Sequence, residues 1–226
     1  MNSPALPLDR RLLENRRGAL ILAAALAAFV PICWIVIQAK GSFFGDGRLV
    51  SWMLFPHPSQ PFAFLAQVFA LLGNPAVAAV SVAIVWALVD RQLGRRYGAL
   101  VLVAVGAVAL NAILKAILGP TPLQVSTFGA YAPSNFPSGH VVYATSLCGL
   151  IAWFALARGN RPILVAMLLL ILGMGPFRVV DGAHWPSDVL AGYALGLAWS
   201  ILVLVLGLPW AASQTAKSLS PAPQDQ

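Results

Sequence analysis

The chain has 226 residues, of which 59% are hydrophobic and only 9% charged, with a formal net charge of +7. Soluble domains carry about 25% charged residues, so an ordinary soluble protein is excluded and an integral membrane protein of one domain is expected. The basic residues stand in short groups between apolar runs and not on one exposed face. That pattern excludes a nucleic-acid partner and reads as a topology signal.

Residues 1–17 are polar, carry Arg10, Arg11, Arg16 and Arg17, and are expected as a cytoplasmic segment. The uncharged run 18–39 is about long enough to span a bilayer and exceeds the ~7–15-residue core of a cleaved leader. Residues 40–60 read as an outside loop with Lys40, Asp46, Arg48 and His57, the last a solvated loop residue between two prolines. The apolar stretch 61–72 is too short to cross and reads as an interfacial helix ending at Gly73-Asn74-Pro75. Pro75 suits the first turn of the second span, 75–89.

The basic loop 90–96 is expected in the cytoplasm, and the third span, 97–118, holds Lys115 near its outer end. A Pro/Ser/Gly loop covers 119–139. Span four, 140–157, returns to Arg158 and Arg161, and span five, 162–176, ends at Gly175-Pro176. The polar stretch from Phe177 into Asp188 follows outside. Span six, 187–208, contains Gly192-x3-Gly196, a spacing that permits close helix contact. The tail 209–226 is expected to be disordered and cytoplasmic. The expected fold is all-α: a polytopic membrane domain over 18–208, with six transmembrane helices and a short interfacial helix before the second span. Cys33 and Cys148 lie in apolar runs and read as small buried hydrophobes, and no zinc-type Cys/His spacing exists.

This topology puts ten of the fourteen Lys and Arg residues in the cytoplasm and leaves Lys40, Arg48, Lys115 and Arg178 outside. It also brings three polar clusters to one membrane face: Lys115, the turn Pro137-Ser138-Gly139-His140, and the stretch from Arg178 to Asp188. Ionisable side chains beside hydrocarbon are costly, which makes such a convergence a functional-site hypothesis. Ser138 is placed to N-cap span four, leaving the amides of Gly139 and His140 for an anion. Gly139 allows close approach to the backbone. Lys115 and Arg178 add positive charge, and Asp188 is spaced to orient the ring of His184. A phosphate group at the outer interface fits this set of groups.

At these residues the sequence resembles the type 2 phosphatidic acid phosphatase superfamily of membrane lipid phosphatases. That family carries Lys-x6-Arg-Pro, Pro-Ser-Gly-His and Ser-Arg-x5-His-x3-Asp. The second motif is complete as Pro137-Ser138-Gly139-His140. The third runs Phe177-Arg178, five residues, His184, three residues, Asp188, with Phe for the leading Ser. The first departs: the loop after Lys115 is one residue short, and Thr121 precedes Pro122 where the family has Arg.

The resemblance covers about residues 73–208. It implies that His184 attacks phosphorus to form a phosphohistidine, that Asp188 orients it, and that His140 protonates the leaving oxygen and then activates water. It implies that Lys115, Ser138, Gly139 and Arg178 hold the phosphoryl oxygens, with Thr121 a possible substitute for the missing Arg. No metal and no cofactor is implied. The partner is a membrane lipid substrate, undecaprenyl or another polyprenyl diphosphate first, phosphatidylglycerophosphate or phosphatidic acid second. The site would face the exterior or periplasmic side of the cytoplasmic (inner) membrane. A lipid phosphotransferase and, because of Thr121, a non-catalytic lipid-phosphate binder remain alternatives.

Overall fold

The computed structural model describes residues 14–53, 60–127, 130–133 and 136–217. The long helices are α1 (Arg16–Lys40), α4 (Pro75–Leu93), α5 (Arg95–Leu118), α6 (Gly139–Ala157), α7 (Arg161–Val180) and α8 (Pro186–Leu202). Shorter ones are α2 (Asp46–Met53) and α3 (Gln60–Leu72), while α8 runs through a π turn (Val203–Gly207) into α9 (Leu208–Lys217). Among the described residues six helical stretches are long and apolar enough to cross a membrane. Leu and Ile side chains on their outer faces are exposed, among them Ile32, Ile35, Ile84 and Leu169. Large apolar side chains on an outer surface suit a lipid surround, not water.

Helix α6 is the centre of the bundle. It packs against α5, α7 and α8 and is apolar and buried nearly all round, the mark of a core helix with no polar face to turn outward. One core joins Leu100, Val101 and Ala104 of α5 to Leu147 and Phe154 of α6. A second joins Val30, Cys33 and Ile37 of α1 to Ala191, Ala194 and Leu195 of α8. Both Cys33 and Cys148 are free and buried. The glycine spacing on α8 serves the α6 contact. A Cβ on Gly192 would stand 2.9 Å from the Ser138 carbonyl, and one on Gly196 would stand 2.7 Å from Thr145 Cβ. Only glycine lets the two backbones lie this close.

Four boundaries differ from the sequence expectation. Span five does not stop at 176 but continues to Val180, so Phe177 and Arg178 lie in its last turn. Pro176 cannot donate to Leu172, yet the Tyr193 hydroxyl lies 2.7 Å from the Ile171 carbonyl and 3.3 Å from that of Leu172, while accepting from Gly175 N–H at 3.0 Å. A side-chain hydroxyl thus mends the ladder at the proline. The expected disordered tail is helical through Lys217, because Leu208 and Ala211 join the core and Arg96 donates to the Trp210 carbonyl at 2.7 Å. The segment 40–60, expected as a loop, contains α2, anchored by its buried Asp46. Finally, the 119–139 loop holds an antiparallel pair, β1 (Gln124–Thr127) with β2 (Ala130–Pro133), Val125 opposite Ala132. His57 lies outside the described residues.

Candidate active site

The N-termini of α6 and α8 and the C-termini of α5 and α7 meet at one end of the bundle. The second and third motifs are joined through the backbone: Ser138 N–H donates to the Asp188 carbonyl at 3.0 Å. Ser138 takes the expected N-cap position but makes no side-chain capping bond, and its fully buried hydroxyl has no partner among the described residues. A Cβ on Gly139 would lie 3.3 Å from Asn111 Nδ2 and 3.8 Å from Lys115 Nζ, so both α5 side chains reach the start of α6.

On the other side, His184 Nδ1 lies 3.4 Å from Asp188 Oδ2, which also accepts from Trp185 N–H at 2.9 Å. Because a carboxylate only accepts, this contact puts the His184 proton on Nδ1 and leaves the Nε2 lone pair free for chemistry. Burial pushes the His184 pKa below its ordinary value. The Asp188 hydrogen bond and charge push it back up, and Arg178 and then Lys115 push it down. The Asp188, Arg178 and Lys115 charges thus all act on the one imidazole. The chain fold supports this: the Arg178 carbonyl accepts from Ala183 N–H at 3.2 Å and His184 N–H at 3.3 Å.

Arg178 is 8% exposed and pairs through Nη1 with Asp181 Oδ2 at 2.6 Å, and its buried Nε has no partner among the described residues. Asp181 is therefore the arginine's holder. His140 turns the other way, with Nε2 3.2 Å from the Ala70 carbonyl at the end of α3. A carbonyl cannot donate, so in the neutral ring Nε2 carries the proton and Nδ1 is the basic nitrogen. Gly73 makes room for this ring, since a Cβ there would overlap His140 Cδ2. Phe177, which replaces the expected Ser, stacks on Phe69 of α3 with ring centroids 4.9 Å apart.

A cavity of about 780 Å³ opens between α4 and α5 and reaches this site. Its polar end is formed by Asn111, Lys115, Gly139 and His140, and its length by Ala78, Ala79, Val82 and Trp86 of α4 with Leu102, Val105 and Val108 of α5. Those positions recur every three to four residues, so one face of each helix lines it. His184, Arg178 and Asp188 do not line this cavity. Neither does Thr121, which is 3% exposed and whose hydroxyl has no partner among the described residues. Among the described residues no group of three or more His, Cys, Asp or Glu could hold a metal ion.

Two polar residues escaped the sequence reading. Asn111, 3% exposed, touches the site, and its buried Oδ1 has no hydrogen-bond partner among the described residues. Its signal was available: a lone amide in an apolar run, one turn before Lys115 and hence on the same face. Asp46 accepts from Ser187 inside the third motif, a partner 141 residues away that no local pattern could reveal.

The sequence profile of the PAP2 superfamily matches residues 96–210, just over half the chain and all of the site. The chain belongs to that superfamily. It is 38% identical over 78 residues to the lipid A 1-phosphatases of Rhizobium johnstonii and Rhizobium etli, covering 34% of this chain and 30% and 32% of those proteins. The chain thus aligns with about a third of the length of these curated relatives. The fold resembles the crystal structure of a transmembrane PAP2-type phosphatidylglycerolphosphate phosphatase from Bacillus subtilis, with a TM-score of 0.68 and 19% identity over 88% of this chain and 97% of that one. Six membrane-length helices and this family membership make it a multi-pass membrane protein.

Proposed function

We propose that this protein is a membrane lipid phosphatase that works through a phosphohistidine, with polyprenyl diphosphate as its substrate. The observation that carries the reading is the cavity: cationic and hydrogen-bonding at one end, apolar along its helical walls. That is the outline of an amphiphile with a phosphate head. A single groove between two helices suits a lipid with one chain better than one with several.

His184 attacks phosphorus through Nε2, with Asp188 fixing the ring and stabilising the imidazolium that develops. Lys115, Arg178, the Ser138 hydroxyl and the Gly139 amide hold the phosphoryl oxygens as charge redistributes. Asn111 joins them through Nδ2, the atom that faces Gly139 at the start of α6. It offers the site a neutral donor on the side where the family's first-motif Arg is absent. Thr121, buried and off the cavity wall like Arg178 and His184, stays a possible substitute for that Arg. His140 enters the reaction as the imidazolium, gives the Nδ1 proton to the leaving oxygen, and then, neutral, takes a proton from the attacking water at the same Nδ1. These groups need no metal. The compartment we assign is the outer side of the inner membrane, from the charge asymmetry of the loops.

The test is phosphate release from undecaprenyl diphosphate, lipid A and phosphatidylglycerophosphate by the full-length protein in detergent, wild type against His184→Ala. Release by wild type alone, fastest from the polyprenyl diphosphate, is expected. Equal release by both proteins would remove the nucleophile assignment. The second reading is lipid A 1-phosphate as substrate, favoured by the identity to the Rhizobium enzymes, and fastest release from lipid A would select it. Release only when a hydroxyl acceptor is added would point to a transferase, and lipid binding without release to a binder.

A further inference from the structure

Helix α8 carries Asp188 in its first turn, and its start lacks an accepting side chain at the cap. The N-cap position falls to Trp185, whose indole can donate a hydrogen bond but not accept one. An N-cap side chain normally accepts from the amide of the second or third helical residue. Here the second residue is Ser187, and its N–H donates instead to Asp46 Oδ1 at 2.9 Å. The Ser187 hydroxyl donates to Asp46 Oδ2 at 2.8 Å, and Phe43 N–H donates to the same oxygen at 2.9 Å. Asp46 is 2% exposed and Ser187 fully buried. A carboxylate from another helix therefore does the work of the missing cap.

We propose that Asp46 is a positioning residue for the reaction: it caps α8 in place of Trp185 and so fixes Asp188 and the His184 ring. The inference rests on the phosphatase reading above. Geometry explains the choice of residue. Two acceptor oxygens meet three donors, and the negative charge faces a positive helix end, where it is stabilising. Burial and the nearby Asp188 charge both raise the Asp46 pKa, while the bonds from Ser187 and Phe43 lower it. With Asp46 gone, Ser187 N–H loses its acceptor and the first turn of α8 can swing. Asp188 then leaves His184, whose contact at 3.4 Å has little to spare.

Three full-length variants test this: Asp46→Ala, Asp46→Asn and Ser187→Ala. Asn keeps an acceptor for Ser187 N–H and an amide that can donate to its hydroxyl, so it is the partial rescue. Two measurements are made on each: kcat and KM for phosphate release, and the titration midpoint of the His184 ring by NMR. Asp46→Ala is expected to lose about tenfold to a hundredfold in kcat with KM within about twofold, the signature of misplaced groups and not of lost binding. Its His184 midpoint should fall, because the upward pull of Asp188 is lost, and Asp46→Asn should lie between Ala and wild type in both measurements. Ser187→Ala should stay nearer wild type, since the amide bond survives.

An unchanged His184 midpoint in Asp46→Ala overturns the proposal, as does a loss expressed in KM alone. A loss shared equally by Asp46→Asn does the same. If wild type releases phosphate from no lipid, the phosphatase reading falls by itself, and the His184 titration still decides whether Asp46 holds the ring.

Discussion

Ser138 N–H donates to the Asp188 carbonyl at 3.0 Å, which stitches the start of α6 to the start of α8. Two helix N-termini are thereby fixed against each other. With them are fixed Gly139, whose bare Cα faces Asn111 and Lys115, and His184, which Asp188 orients. The stitch needs close helices. Gly192 supplies the closeness, since a Cβ there would run into the Ser138 carbonyl.

Gly192→Ala and Gly196→Ala should therefore each destabilise the protein by about 1–3 kcal/mol through overpacking. The two should differ in activity. Gly192→Ala pushes on Ser138 itself, whereas Gly196→Ala pushes on Thr145, two turns deeper. Thermal melting in detergent should show both losses, and phosphate release should fall further in Gly192→Ala. Equal activity in the two variants would contradict the stitch.

Asp188→Asn should cost both rate and stability. The variant keeps one acceptor for Trp185 N–H, but it no longer stabilises the imidazolium of His184. A kcat loss of about 10³-fold or more is expected, by comparison with aspartates that orient catalytic histidines elsewhere. The measurement is single-turnover phosphate release with labelled lipid. Retention of wild-type rate would remove Asp188 from the site.

Asn111→Leu is expected to separate function from stability. The wild-type amide oxygen is buried without a hydrogen bond among the described residues, an arrangement that costs about 1–3 kcal/mol. Leucine relieves that cost, so the melting temperature should hold or rise while KM for lipid phosphate rises or kcat falls. A destabilised variant with normal kinetics would show that the amide serves the fold and not the substrate.

The pH dependence follows from His184, whose folded pKa lies below the ordinary value of 6.5. The ring stays neutral, and so nucleophilic, in acid where a free histidine would be protonated. The acid limb of kcat/KM should accordingly fall below pH 6.5. Stability moves the same way. Between the unfolded value and the lower folded value, the unfolded chain binds the proton and the folded chain does not. Stability is thus lost as pH falls from about 6.5 to the folded value and levels beneath it. Melting curves against pH should flatten across this window in His184→Gln.

The sequence made the span order, the Pro137–His140 turn and the Arg178–His184–Asp188 spacing legible because each is a local pattern: hydropathy, motif and helix entry. Gly192 and Gly196 were legible for the same reason. What stayed hidden depends on residues far apart in the chain. Pro176 reads as a stop unless Tyr193 is known to stand beside it. Asp46 reads as a loop charge unless Ser187 is known to lack a cap. Trp210 looks like the start of a polar tail until Arg96 meets its carbonyl and ring. Ser138 was placed correctly, but its hydroxyl does not make the capping bond that its position suggests.

The Tyr193 hydroxyl in the ladder of α7 has one more effect. It supplies partners for the groups that Pro176 leaves over and so ties the last turns of α7 to α8. Arg178 rides on that last turn, and its carbonyl receives the amides of Ala183 and His184. Arg178 and His184 are thus tied by backbone hydrogen bonds to one short connection between α7 and α8. Loss of the Tyr193 hydroxyl should therefore reach Arg178 and His184 through the last turns of α7.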